Sequence, residues 1–203
     1  MGITGRATDP SDGVDALRAR TYRLLARLLA APPDAGLLKS LSALDGDAGP
    51  LGLALNALAA EARATTVAML DDEYHALFIG VGGGELNPFG SYYLTGFLYE
   101  RPLARLRIDM ARLGIARADG NSDPEDHIAA LCEMMAGLIS GDFGDEPVPL
   151  AAQQAFFDAH LGGWASRFFG DLEAAAAARF YRPVGRIGRH FFEIERQAFA
   201  MAA

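Results

Sequence analysis

The residues best suited to chemistry form the short run Asp123-Pro124-Glu125-Asp126-His127. Carboxylates accept charge-assisted hydrogen bonds from guanidinium groups, and an imidazole can donate to a carbonyl oxygen or orient a neighbouring carboxylate. Asp123 can cap a helix, and Pro124 suits the first helical position. We therefore predict a helix that starts at Asp123 and presents Asp126 and His127 at its tip.

A plainer interpretation stays open for the same run. Acidic residues are favoured at helix starts because the helix dipole is positive there, and a histidine can be incidental. The residues that follow recur at spacings of three and four and predict one buried apolar stripe: Ile128, Leu131, Cys132, Met135, Leu138 and Ile139. The stripe predicts a helix to Ser140, with Cys132 as a buried thiol.

Aromatic residues form a second cluster around a break in the helical pattern. They are Tyr74, Phe78, Phe89, Tyr92, Tyr93 and Phe97. Core packing would explain them, but the Gly-rich run 80–84 and Pro88 interrupt the helices between them. Helix ends at such a break can form a concave edge, so we also consider an aromatic groove rimmed by Glu73, Glu85 and Asp126.

Reaction machinery is not evident. The run Gly80-Val81-Gly82-Gly83-Gly84 lacks the endings of dinucleotide and phosphate loops, and Glu85 would repel phosphate. The four histidines, His75, His127, His160 and His190, have no metal-ligand spacing. We predict no metal, no cofactor and no enzymatic activity. A nucleotide-dependent helical enzyme or switch that uses Asp126, His127 and the loop 80–84 is the alternative.

Composition narrows the class of partner. The formal net charge of −8 argues against nucleic acid and favours cationic partners. Hydrophobic residues make up 51% of the 203 residues, which is enough for a sizeable core. No apolar run approaches the roughly 20 residues that a membrane span needs, and no targeting segment is evident. We expect a cytoplasmic protein without stable membrane insertion.

Helical periodicity runs through almost the whole chain, without strand alternation or internal repeats. We predict an all-α bundle of about nine to ten helices in one domain over residues 12–203, after a disordered segment 1–11. The bundle divides into an N-terminal part 12–115 and a C-terminal part 123–203.

Three features give the chain a family resemblance. The first is Tyr74, Leu77 and Phe78 followed by Pro88, Ser91, Tyr92 and Tyr93; the second is the run 123–127; the third is Phe156, Phe157, His160, Leu161, Trp164, Phe168, Phe180 and Tyr181. Together they resemble the TorD family of redox-enzyme maturation chaperones, which includes DmsD and NarJ, over residues 14–200. Asp123 stands where the family usually has Glu, and Asn87 and Phe89 also depart from its pattern.

The resemblance implies an all-helical fold with a possible hinge near 116–122, and a monomer or a dimer that exchanges halves. It implies a chaperone for the apo-form of a molybdenum-cofactor oxidoreductase, bound through its twin-arginine signal peptide, its mature body or both. The client could be a dimethyl-sulfoxide-type reductase, a nitrate reductase or a formate dehydrogenase. We expect the peptide-binding residues to be Asp126, His127, Tyr74, Phe78, Pro88, Ser91, Tyr92, Tyr93, Glu125 and Glu85. A purely structural assembly factor, in which Asp126 and His127 only cap a helix, is the remaining possibility.

Overall fold

The computed structural model describes residues 10–80, 83–117 and 123–202, and this part of the chain is all-α, as predicted. It contains ten α-helices and one π-helical turn. They are α1 (Pro10–Ala30), α2 (Ala35–Ser42), α3 (Pro50–Ala64), α4 (Val67–Tyr74), the π-helical turn (His75–Ile79), α5 (Gly90–Thr95), α6 (Arg101–Arg112), α7 (Ile128–Ser140), α8 (Leu150–His160), α9 (Ala165–Ala174) and α10 (Tyr181–Ala202). No helix in these ranges is both long and apolar enough to cross a membrane.

Helix α7 lies at the centre of the bundle. Its predicted apolar stripe is confirmed: Ile128, Leu131, Cys132, Met135, Leu138 and Ile139 are all buried. Helix α1 packs along α7, while α10 packs against α9 and α3. The buried apolar side chains of all these helices form one continuous core. The fold therefore places the residues that follow α1 beside the start of α7.

A buried ionic network fastens α1 to the C-terminal helices. Arg18 donates from Nε and Nη2 to the two carboxylate oxygens of Glu195, at 2.7 and 2.9 Å. Glu195 is 1% exposed and also accepts from the hydroxyl of Tyr22 at 3.0 Å. Arg18 Nη1 donates to Gln153 in α8 at 3.1 Å. Each charged group in this network has partners, which is the condition for burying it.

Two predicted boundaries differ from the structure. Helix α7 begins at Ile128 and is capped by His127, so the prediction that it starts at Asp123 is wrong. His127 has an extended backbone (φ −62°, ψ 135°), and the residues before it form a turn instead of a first helical turn. Helix α1 begins at Pro10, inside the segment 1–11 that was predicted to be disordered; residues 1–9 lie outside the described part.

The predicted hinge, 116–122, falls mostly on residues 118–122, which are also outside the described ranges. The division into halves at this point and the exchange of halves between protomers stay predictions.

Candidate functional site

The end of α4 builds the first wall of a groove. Tyr74 closes α4, and its hydroxyl donates to the carbonyl of Leu29 at 3.1 Å, near the end of α1. The π-helical turn follows, and the ring of Phe78 lies 5.0 Å from that of Tyr74. Ile79, the last residue of the turn, is 54% exposed. Such turns are often found at functional sites, and this one places Tyr74, Phe78 and Ile79 along the same wall.

The opposite wall is made where two distant segments meet. Residues 88–90 run antiparallel to residues 126–128: Ile128 N–H donates to Pro88 at 2.8 Å, and Gly90 N–H donates to the carbonyl of Asp126 at 2.9 Å. Phe89 and His127 face each other in this pairing, with their rings edge to face at 5.0 Å. The pairing brings Pro88, Phe89 and His127 to one side of the groove.

The two walls enclose an open groove of about 550 Å³. Its lining is Ala30, Ala31, Pro32, Tyr74, Phe78, Ile79, Pro88, Phe89, Asp123 and His127. Four residues of the predicted site therefore meet here: Tyr74, Phe78, Pro88 and His127. The lining is mainly apolar and aromatic, with few polar groups, which is the usual composition of sites that bind an apolar guest.

A smaller polar pocket of about 200 Å³ adjoins the groove. It shares Ala30, Tyr74, Asp123 and His127 with the groove and adds Pro124, Ala129, Ala130 and Glu133. Two carboxylates, those of Asp123 and Glu133, thus lie beside an aromatic groove. Glu133 is exposed and makes no hydrogen bond or ion pair with another described residue.

His127 is a neutral hydrogen-bond donor at this junction. Its Nδ1 accepts the N–H of Ala129 at 3.1 Å and so caps α7. Burial lowers the pKa of His127 from 6.5 to about 4, although the charges of Asp123 and Asp126 act in the opposite direction. With Nδ1 as an acceptor, the proton of the neutral ring is on Nε2. Nε2 can therefore donate to a peptide carbonyl.

The three carboxylates among the expected peptide-binding residues, Asp126, Glu125 and Glu85, are engaged within the protein. Asp126 is 3% exposed, and its Oδ2 accepts from Ser91 N–H at 2.7 Å and from Ser91 Oγ at 2.5 Å. Glu125 binds Arg107 at 2.8 Å; burial opposes ionisation, but this contact lowers the pKa of Glu125. Glu85 accepts the N–H groups of residues 176 and 177 at 2.6 and 3.0 Å.

Glu73, also expected on the rim, likewise accepts backbone N–H groups at the start of α10, from Arg179, Phe180 and Tyr181.

Tyr92 and Tyr93 lie on α5, away from the groove lining. Tyr93 packs on Trp164, with ring centroids 5.4 Å apart, and donates to Asp171 at 2.9 Å. Tyr92 is 42% exposed. Trp164 is 2% exposed, and a Cβ built on Gly90 would lie 3.2 Å from its indole, so the first turn of α5 is seated directly on this ring. The structure therefore divides the predicted aromatic cluster: Tyr74, Phe78 and Phe89 line the groove, Tyr93 packs on Trp164, and Tyr92 and Phe97 are exposed.

Sequence reasoning missed several groove residues. Ile79 and residues 30–32 gave no chemical signal, although the Pro-Pro break after α1 indicated that the chain turns there. Glu133 could have been found, because it is the one acidic residue within the apolar run of α7.

Two other kinds of functional site are a metal-binding cluster and a reactive thiol. The described part of the chain contains no group of three or more His, Cys, Asp or Glu side chains placed to hold a metal ion. Cys132 is fully buried, which raises the pKa of its thiol far above the usual range and keeps it protonated. Val81 and Gly82 of the Gly-rich run lie outside the described residues.

Comparisons with known proteins agree on the kind of protein. The profile of a family described as nitrate reductase delta subunit matches residues 44–170. A chaperone protein TorD from Shewanella loihica is 26% identical over 89% of this chain and 92% of its own length. A crystal structure from Archaeoglobus fulgidus, of a candidate redox enzyme maturation protein, covers 95% of this chain and 99% of its own, with a TM-score of 0.59 at 20% identity. This last similarity supports the fold.

Proposed function

The chain belongs to the nitrate reductase delta subunit family, a family of NarJ- and TorD-type redox-enzyme maturation chaperones. On this premise, we propose that it binds the twin-arginine signal peptide of a molybdenum-containing oxidoreductase in the cytoplasm. Binding would hold the apo-enzyme until its cofactor is inserted. The observation that carries this proposal is the aromatic groove with a carboxylate pocket at its side.

The groove suits the apolar run of such a peptide. Tyr74, Phe78 and Phe89 supply aromatic surface, and Ile79 adds an exposed aliphatic side chain. Burying about 400 Å² of apolar surface contributes roughly 10 kcal/mol before costs, at about 25 cal/mol per Å². Ordering the peptide and immobilising two molecules consume much of this. A dissociation constant on the order of micromolar, which allows later release, is therefore expected.

The polar pocket suits an arginine side chain. Asp126, Glu125 and Glu85 are occupied by partners within the protein, whereas Glu133, which lines the pocket, makes no hydrogen bond or ion pair with another described residue. A guanidinium group there would meet carboxylate oxygens, and charge-assisted pairs of this kind are strong and directional. The net charge of −8 favours approach of a cationic peptide. His127 Nε2 would donate to a backbone carbonyl at the junction of the two cavities.

Isothermal titration calorimetry tests this function directly. The protein is titrated with a synthetic peptide that carries two consecutive arginines before an apolar run, and with a matched peptide in which alanines replace the arginines. We expect micromolar binding of the first peptide and at least tenfold weaker binding of the second, equivalent to about 1.4 kcal/mol. Absence of measurable heat with either peptide would remove the proposed function.

A further inference from the structure

Asp126 is the central residue of a contact that joins two segments far apart in the chain. Its carbonyl accepts the N–H of Gly90 at 2.9 Å, while its side-chain Oδ2 accepts both donors of Ser91. Ser91 is 1% exposed, and Asp126 is 3% exposed. Phe89, which precedes α5, gives the helix no side-chain cap, so Asp126 supplies the missing acceptor from across the fold.

This contact has consequences on both sides. Towards the groove, it holds residues 88–90 against residues 126–128 and so fixes the facing rings of Phe89 and His127. Away from the groove, it holds the first turn of α5 on Trp164. The second carboxylate oxygen, Oδ1, is buried and accepts no hydrogen bond from any described residue. Asp126 is also absent from the lining of the groove and of the polar pocket.

We propose that Asp126 is a positioning residue for the groove and makes no contact with the bound peptide. The Asp126–Ser91 pair sets the position of Phe89 and His127, and the peptide meets those two side chains. This inference rests on the proposed function for its effect on binding, but the position of His127 can be measured without any peptide. Both bonds from Ser91 go to Oδ2, and the carboxylate is almost fully buried, so a guanidinium group could reach Oδ1 only if the segments that cover Asp126 moved apart.

The experiment compares Asp126→Asn, Ser91→Ala and their double variant with a control, Asp171→Asn. Asp171 also bonds to α5, through Tyr93, but takes no part in the pairing of the two segments. Circular dichroism establishes that each variant folds, and Ser91→Ala alone carries the test if Asp126→Asn does not fold. Affinity is measured for the arginine peptide and for its alanine counterpart. The imidazole resonances of His127 are recorded by nuclear magnetic resonance without peptide.

If Asp126 acts through position, Asp126→Asn and Ser91→Ala lower the affinity for both peptides by the same factor, about five- to tenfold. The ratio of the two affinities then stays the same. The double variant is then no weaker than the weaker single variant, because the two residues form one contact. The His127 resonances shift in both single variants and stay in place in the control.

Direct contact gives another result: Asp126→Asn alone abolishes the preference for arginine, which would overturn the inference. Unshifted His127 resonances in both single variants would overturn it as well. If the wild-type protein binds neither peptide, the proposed function fails, and the His127 resonances still decide the inference.

Discussion

Two polar clusters join distant parts of this chain, and they differ in what they leave open. Around Glu195, donors from Arg18 and Tyr22 meet both carboxylate oxygens, and the cluster is sealed. Around His127, the ring keeps a donor nitrogen beside an open groove, and Glu133 makes no hydrogen bond or ion pair with another described residue. The first cluster can only stabilise the fold, whereas the second has hydrogen-bonding capacity to offer a guest.

The same difference separates carboxylates that look alike in sequence. Glu73, Glu85 and Asp126 all accept backbone N–H groups from other parts of the fold, although Asp126 is buried, Glu73 is partly buried and Glu85 is exposed. Glu133 lies on an exposed side of a helix that is otherwise buried. The acids available to bind a partner are therefore those that the folded protein does not already use as hydrogen-bond acceptors.

The largest effect is expected in the sealed cluster. Glu195→Gln leaves the Arg18 guanidinium, whose side chain is 12% exposed, with the half-exposed Asp15 as its remaining charged partner among the described residues. Breaking one side of a buried ion pair costs about 3–5 kcal/mol, or a fall in melting temperature of roughly 10 °C for a chain of this size. Urea denaturation measures the loss.

Glu193→Gln, which removes a carboxylate from an exposed pair with Arg196, is the control and should leave stability close to that of the wild type, because exposed ion pairs contribute little. Peptide affinity of folded Glu195→Gln should match the wild type, and a large loss of affinity would contradict the separation of the two clusters.

The second effect concerns pH. The pKa of His127 is about 4 in the folded protein and about 6.5 in the unfolded chain, so the unfolded state binds more protons between these values. The contribution of neutral His127 to the free energy of unfolding is therefore largest above pH 6.5 and falls as the pH is lowered towards 4. His127→Asn keeps an N-cap acceptor without the titration.

Between pH 7 and pH 5 the wild type should lose on the order of 1–2 kcal/mol more than this variant in urea denaturation. Equal losses would show that His127 titrates normally. Because the comparison is with a variant that retains His160, whose pKa burial also lowers, the contribution of His160 cancels.

The third effect tests the polar pocket. Glu133→Gln removes a charge from an exposed position, so stability should stay within about 0.5 kcal/mol of the wild type. Affinity for the arginine peptide should fall about tenfold in calorimetry, while affinity for the alanine peptide is unchanged. Glu146→Gln, an exposed acid outside both cavities, is the matched control. An equal loss of affinity in the control would show that net charge, and not the polar pocket, causes the effect.

The smallest effect tests the apolar wall. Ile79→Ser removes a side chain that is 54% exposed at the groove, and Leu53→Ser removes one that is 57% exposed on α3. The first should weaken both peptides about three- to fivefold because it removes apolar contact area, and the second should leave calorimetric affinity unchanged. Equal behaviour of the two variants would place the peptide elsewhere.

Periodicity was sufficient to predict the helices and the buried face of α7, because a stripe at spacings of three and four must face a core. The start of α7 could not be predicted in the same way. Locally, Asp123 and Pro124 are good helix-starting residues. The chain instead turns Asp126 towards Ser91, a partner that only the tertiary fold brings near, and His127 becomes the cap.

The lining of the candidate groove could be predicted from the sequence only in part. Residue type indicated Tyr74, Phe78, Pro88 and His127, and the structure brings all four to one groove. Residue type could not show which carboxylates accept hydrogen bonds from backbone N–H groups elsewhere in the fold. Nor could it reveal the π-helical turn His75–Ile79, from which Phe78 and Ile79 line the groove.

Trp164 gives this arrangement a practical consequence. It is the single tryptophan of the chain, it is almost fully shielded from water, and its indole touches the turn that Asp126 and Ser91 hold in place. Any event that displaces α5 from Trp164 would expose the indole to water and shift its fluorescence emission to longer wavelength. The protein thus carries an intrinsic optical reporter next to its groove, readable without a label.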